Sequence, residues 1–235
     1  MGQGAADPNV LIAVDTSGKH GSLALGRVSE GRCELVEVVA LAGGTFSAQL
    51  IPQLSEALAK NGFSKRNIYG FAVASGPGSF TGLRVGLAAI KGLAEVLEKP
   101  IAAVSMLEVV ARSGSGKGHV WAALDGGRGE VYLGEYDVNQ PGASASEELV
   151  MPRAEAAALV GEARVLTPDE NVAEALRAAG RHVEVIAHPG SKGVAQLGWL
   201  KLQAGLVISP EDLEANYIRR SDAEIFFKPT AGSKG

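Results

Sequence analysis

Ser75-Gly76-Pro77-Gly78-Ser79-Phe80-Thr81-Gly82-Leu83-Arg84 is the stretch whose residue types come nearest to chemistry. Free backbone N–H groups at a helix N-terminus attract phosphate, and glycines permit the backbone shapes a close-fitting turn needs. The spacing departs from both common phosphate fingerprints. No G-x-x-x-x-G-K-[ST] occurs, and the glycines fall as G-x-G-x-x-x-G instead of G-x-G-x-x-G. A tight strand-to-helix turn is therefore preferred over an anion cradle. Asp15 and Asp125 are the candidate carboxylates for catalysis or cofactor binding; each closes an apolar run and opens a polar turn. The competing reading is that each caps its own turn through nearby backbone N–H groups. His20, His119, His182 and His188 include no pair spaced i, i+4, so no metal site is expected. There is no G-x-S-x-G elbow. Cys33 lies in or beside a strand with no histidine near it in sequence, which reads as a buried or surface thiol and not a nucleophile.

The elements that must hold these residues follow from periodicity. Val10–Val14 reads as a buried strand, with 21–26 and 34–41 continuing an antiparallel sheet. A helix over 47–60 is capped by Thr45 or Ser47 and stopped at Asn61-Gly62, with Pro52 near its first turn. Strand 68–74, the glycine turn, helix 82–98, strand 101–104 and helix 105–112 come next. The small polar run 113–118 is the linker or hinge candidate. After it the pattern restarts: 119–124 ends in Asp125 as 10–14 ends in Asp15. Gly21-Ser-Leu-Ala-Leu-Gly26 also echoes Gly129-Glu-Val-Tyr-Leu-Gly134. Such an echo predicts duplicated lobes. Further on, 139–146 reads as a loop, 153–160, 170–179 and 193–205 as helices, and 163–166 and 182–186 as short strands. Residues 1–9 and 229–235 are expected to be disordered.

With 235 residues the chain can form one large domain or two modest lobes, and a net charge of −4 argues against autonomous nucleic-acid binding. The short basic clusters Lys65-Arg66 and Arg219-Arg220 read as solvated surface. One cysteine fits a reducing compartment. The start MGQGAADPN lacks a signal-peptide pattern, and Ala6 spoils a myristoylation motif. No apolar run approaches about 18 residues. A cytoplasmic, non-membrane protein is expected.

The words GPGSFTGLRVGLAAIKGLA, AVDTSGKHGSLAL and VSMLEVVA closely resemble the TsaB family of bacterial tRNA threonylcarbamoyladenosine biosynthesis proteins. The resemblance covers about 10–112 and thins over DGGRGEVYLGEYD and SPEDLEANYIRR. It implies an α/β, actin/hexokinase/Hsp70-like duplicated two-lobe fold with mixed sheets. The lobes would be 1–112 and 113–228, a C-terminal helix would return to the first, and 229–235 would be a tail. It also implies a non-catalytic scaffold subunit that binds its catalytic paralogue, the TsaD transferase, with the ATPase TsaE and tRNA reached through that complex. ATP would be used by the partner subunits and no cofactor by this chain. In active members of the superfamily the hairpin acids equivalent to Asp15 and Asp125 organise Mg²⁺ for phosphoryl transfer. An ATP-dependent small-molecule kinase is therefore the alternative function. Gly190-Ser191-Lys192-Gly193 is the nearest candidate for an adenosine-binding double glycine, or a helix-leading loop. The paralogue's H-x-x-x-H metal motif is missing, which counts against a metallopeptidase, the third alternative, and marks a partner rather than the transferase. Family members typically carry His before the serine opening the first helix; here Phe46 precedes Ser47.

Helix 82–98 makes a separate point. Arg84, Lys91, Glu95 and Glu98 share one narrow stripe and nearly every other position is apolar or Gly, so the helix asks for cover around most of its circumference. Either the fold sandwiches it, or one face is kept for another protein. The resemblance favours the second, because TsaB pairs with its paralogue through helices of this lobe. Ser47, Leu50, Ile51, Leu54, Leu83, Gly86, Leu87, Ile90 and Leu93 are the expected docking residues, for the paralogue or for a second copy in a homodimer.

Overall fold

Asn9–Asp15 (β1), Gly21–Ser29 (β2) and Arg32–Leu41 (β3) pair as an antiparallel meander. Phe46–Lys60 (α1) then carries the chain to Ile68–Gly76 (β4), which lies parallel to β1. Phe80–Leu97 (α2) leads to Ile101–Ser105 (β5), parallel to β4, and Met106–Ser113 (α3) closes the half. The second half repeats the plan with His119–Gly127 (β6), Glu130–Asp137 (β7) and Glu148–Pro152 (β8). Arg153–Val160 (α4), Val165–Thr167 (β9), Glu170–Ala178 (α5), Val183–Val185 (β10) and Gly190–Gln203 (α6) follow. The sheets run β3-β2-β1-β4-β5 and β8-β7-β6-β9-β10, so each half is three antiparallel strands followed by two parallel crossovers. This computed structural model describes residues 9–139 and 147–218.

Three apolar clusters cement five layers. α1 and α2 cover the outer face of the first sheet, burying Phe71, Leu83 and Ile90 beneath them. α3 and α6 fill the space between the sheets, and α4 and α5 cover the outer face of the second. α6 lies on the first sheet, against β1, β2, β4 and β5, whereas α3 packs on β6 and β7. Each half's closing helix thus contacts the other half's sheet. Gly198 makes the close approach of α6 possible, because a Cβ there would stand 2.2 Å from that of Ala72 on β4. Among the described residues no helix is long and apolar enough to cross a membrane.

Several details differ from the sequence expectation. α1 starts at Phe46, which makes Pro52 the seventh residue of the helix instead of a first-turn residue, and the carbonyl four residues earlier loses a donor. Thr45 is the N-cap, yet its hydroxyl donates to Ala42 O and caps no N–H. α6 begins at Gly190, so Gly190 and Gly193 are helical residues, and Gly193 is needed for contact with Val109 on α3, 2.4 Å from where a Cβ would stand. The echo between the hairpins is one residue out: Asp15 pairs across from Ser22 but Asp125 from Val131, because the second turn is shorter and carries a bulge. The run 113–118 is tied down at Ser115, whose N–H and hydroxyl donate to Glu184 and whose carbonyl accepts from Arg164. Asn9 opens β1, and the expected loop over 140–146, the Arg219-Arg220 cluster and the tail 229–235 lie outside the described residues.

Candidate functional site

The glycine word positions α2 against the β1–β2 turn. Ser17 O accepts from Ser79 N–H at 2.6 Å, and Thr16 Oγ1 donates to Gly82 O at 2.8 Å. Side chains would not fit there. A Cβ at Gly78 would stand 2.4 Å from Ser17 O, one at Gly82 2.0 Å from Thr16 O, and one at Gly86 2.4 Å from Thr16 Oγ1. The Ser79 hydroxyl caps the helix by accepting from Gly82 N–H, and Leu83 N–H bonds Ser79 O. Protein oxygens therefore occupy these first-turn donors where an anion cradle would leave them free. The turn is a packing device.

Asp15 ends β1 and Asp125 lies two residues before the end of β6, in different surroundings. Asp15 is 1 % exposed, and its Oδ1 accepts from the Ser17 N–H (2.9 Å) and hydroxyl (2.6 Å), the expected turn cap. Its Oδ2 is buried with no hydrogen-bond partner. Asp125 is exposed. Oδ1 accepts from Gly127 N–H (2.9 Å) and Arg153 (2.7 Å), and Oδ2 from Asn171 (2.9 Å). Partial burial works against its charge, but the bonds from Asn171, Gly127 and Arg153 prevail and hold the carboxyl below the usual range. The Arg153 guanidinium already neutralises Asp125, and Gly127 and Asn171 engage its oxygens as well, an arrangement that counts against Asp125 as a Mg²⁺ ligand in phosphotransfer. Among the described residues no three His, Cys, Asp or Glu side chains converge. Cys33 is half-buried on the edge strand β3, and burial pushes its thiol up to about 11, away from nucleophilic reactivity.

A concave surface lies between α1 and α2. A mainly apolar groove of about 460 Å³ runs between them, lined by Ser47, Ile51, Phe80, Arg84, Val85 and Ala88 among others. α2 buries one stripe, Gly82, Leu83, Gly86, Leu87, Ile90 and Ala94, while Ala88 and Gly92 face solvent and Val96 is 81 % exposed. Of the two expectations for this helix, the fold of the chain does not sandwich it, and one face stays uncovered. Of the expected docking residues, the fold puts Leu50, Leu54, Leu83, Gly86, Leu87 and Ile90 in the first-half core, with Leu93 half-buried. Ser47 is exposed and Ile51 is 45 % exposed. Phe46, in the place of the usual family histidine, is a core residue resting on Gly21, not a surface contact.

Aromatic residues frame one end of the groove. Phe80 is 42 % exposed, the Arg84 guanidinium lies 3.8 Å over its ring, and Tyr217 stacks on it with centroids 5.1 Å apart. Arg84 Nε also donates to the Tyr217 hydroxyl at 3.1 Å. The sequence reading missed Phe80, Arg84 and Ala88 as lining residues. Phe80 and Arg84, spaced i, i+4, carried a legible signal of a surface pair; Tyr217, 133 residues from Arg84, carried none.

Comparison with known proteins adds the relationship. A profile described as "TsaD: tRNA N6-adenosine threonylcarbamoyltransferase" matches residues 40–162, over half of the chain and including α1 and α2. The chain is 37 % identical over 103 residues to "tRNA threonylcarbamoyladenosine biosynthesis protein TsaB" of Escherichia coli (strain K12), covering 43 % of this chain and 45 % of that protein. Against the protein so named in Bacillus subtilis (strain 168) it is 33 % identical over 127 residues, 54 % of each. The chain thus spans about half the length of the curated relatives it matches. A solved structure, "YeaZ from Pseudomonas aeruginosa", is similar with a TM-score of 0.71 and 25 % identity, over 89 % of this chain and 99 % of that one.

Proposed function

The chain belongs to the family described by the TsaD: tRNA N6-adenosine threonylcarbamoyltransferase profile, and we propose that within it this is a TsaB-type protein, a non-catalytic scaffold subunit in tRNA threonylcarbamoyladenosine biosynthesis. It acts in the cytoplasm by docking a TsaD-type transferase, or a second copy of itself, on the outward faces of α1 and α2. The TsaE-type ATPase and tRNA are met only within that complex, and ATP is used by the partner subunits. Residues 1–112 and 113–228 are the two lobes, and the first carries the docking face. The observation that supports this most is the exposed apolar groove between two long helices, inside the segment that the transferase profile matches. Ser47, Ile51, Phe80, Arg84 and Ala88 are its contact residues. The guanidinium on Asp125 argues against the kinase alternative.

The test uses this protein and the threonylcarbamoyltransferase of the same organism. Light scattering should find a stable complex that Ile51→Asp and Ala88→Arg abolish while thermal unfolding stays unchanged. Threonylcarbamoyl transfer to tRNA should require the partner. Association that survives both substitutions, or transfer by this chain alone, contradicts the proposal.

A further inference from the structure

A second cavity, sharing no residue with the α1–α2 groove, lies where the two halves meet. Ser105 at the end of β5, Glu108 on α3, Tyr136 on β7, Glu148 on β8, Lys201 on α6 and Asn216 line about 370 Å³. Neither Asp15 nor Asp125 reaches it. Its charged groups fall into two sets. Glu148 accepts from the Ser105 hydroxyl, the Asn216 amide and, at 2.5 Å, the Tyr136 hydroxyl. All three donors are neutral, and among the described residues no cation pairs with this carboxylate. The Ser105 hydroxyl links this set to the next by accepting from Glu108 N–H. The buried Glu108 carboxylate is bonded by Arg112 Nε at 3.1 Å and by Lys201 Nζ at 3.2 Å, so Lys201 shares its counter-ion with Arg112. Its ammonium uses two of three N–H donors, on Glu108 and on Ala103 O at 3.3 Å, which leaves one. A joint between two halves gains little from such groups, because apolar side chains of similar volume would hold it without the desolvation penalty. A half-buried carboxylate bonded only by neutral donors, beside an ammonium with a shared counter-ion, is instead the complement of a ligand that carries both charges.

We propose that this cavity binds a free α-amino acid with a polar side chain. The ligand's ammonium donates to Glu148, its carboxylate accepts from Lys201, and a side-chain hydroxyl meets the hydrogen-bonding groups of Ser105, Tyr136 and Asn216. Glu148 belongs to the second sheet and Lys201 to the helix that rests on the first, so the bound amino acid spans the junction of the halves. The site is independent of the docking face proposed above.

Ligand-observed NMR titration of the full-length protein with L-serine, L-glycerate and ethanolamine tests the site. L-Glycerate carries a hydroxyl where L-serine has its ammonium, and ethanolamine lacks the carboxylate. L-Serine should bind about tenfold tighter than either, since each analogue gives up one charge-assisted contact. Glu148→Gln keeps the shape and should weaken L-serine and ethanolamine about tenfold without weakening L-glycerate. Lys201→Met should weaken L-serine and L-glycerate and leave ethanolamine unchanged. Equal affinities for the three compounds, or no saturable binding of L-serine at millimolar concentration, overturn the proposal and leave these groups as a polar joint between the halves. That comparison is made on the unaltered protein and decides the matter even where a variant does not fold. L-Serine binding that is unchanged in both folded variants places it elsewhere and overturns the site as well.

Discussion

The two halves share one topology and use it differently. Both place an aspartate at or near the end of the first strand, yet Asp15 is buried with one oxygen unpaired, whereas Asp125 is exposed and paired with Arg153. Their outer helices differ as well. α1 and α2 have 15 and 18 residues and leave an apolar groove between them, while α4 and α5 have 8 and 9. A duplicated plan therefore fixes the strand order without fixing the use of either half. In the first half the turn is a packing joint and the outer helices flank an apolar groove; in the second the acid is held by an ion pair.

The largest effect expected is at the joint. Gly86→Leu forces a side chain onto Thr16 and should cost about 3 kcal/mol, lowering the melting temperature by on the order of 10 °C. A variant that melts like the parent would show that the joint is loose and would erase the contrast between the halves. Next comes Asp15→Ala, which leaves the buried Ser17 N–H without its acceptor and should cost about 1–3 kcal/mol in denaturant unfolding. Asp125→Ala breaks a pair whose side chains are 24 % and 34 % exposed, and about 1 kcal/mol or less is expected because solvent screens it. Equal losses at the two aspartates would mean that burial does not separate them.

Gly92→Leu sharpens the same comparison from the outside. No atom stands within 4 Å of a Cβ there, so the fold should tolerate the change, and helix propensity should add up to about 1 kcal/mol. Association with the transferase should nonetheless fall if the solvent-facing stripe of α2 is a contact surface; light scattering and melting on one preparation separate the two effects. The smallest effect concerns pH. The folded-state pKa of Asp125 is depressed, so its contribution to stability is present above the unfolded value near 4 and is lost as pH falls through the folded value. Asp125→Asn should therefore flatten the acid side of the stability profile, lowering stability slightly near neutrality, where the contribution is present, and leaving it unchanged below the folded value. An unaltered slope below pH 4 would show that the Arg153 and Asn171 bonds do not favour the charged form.

Much of the fold was legible because its signals are local. Strand-Asp-turn-strand recurs within short windows, and α1, α2 and α3 begin within two residues of their expected starts, with Thr45, Ser79 and Ser105 at the N-caps of these helices. β8 was missed because Glu148–Pro152 is short and half-buried along its length, without clear alternation. The hairpin echo was found but misregistered, since a bulge in the second turn leaves no mark in the strand sequences.

The sequence was enough for the order of the elements other than β8, for the doubled plan and for the family resemblance, since each rests on residue type and spacing along the chain. It also places glycines at 78, 82 and 86. Only the tertiary structure decided what those glycines face. The carbonyls and hydroxyl of Thr16 and Ser17, more than sixty residues away along the chain, fill the space that an anion would have taken. The same holds for α2, whose composition suggested cover on nearly all sides. Its core and solvent faces were settled by which stripe meets the first sheet, because an apolar residue has no preferred direction until a neighbouring surface is there to exclude water from it.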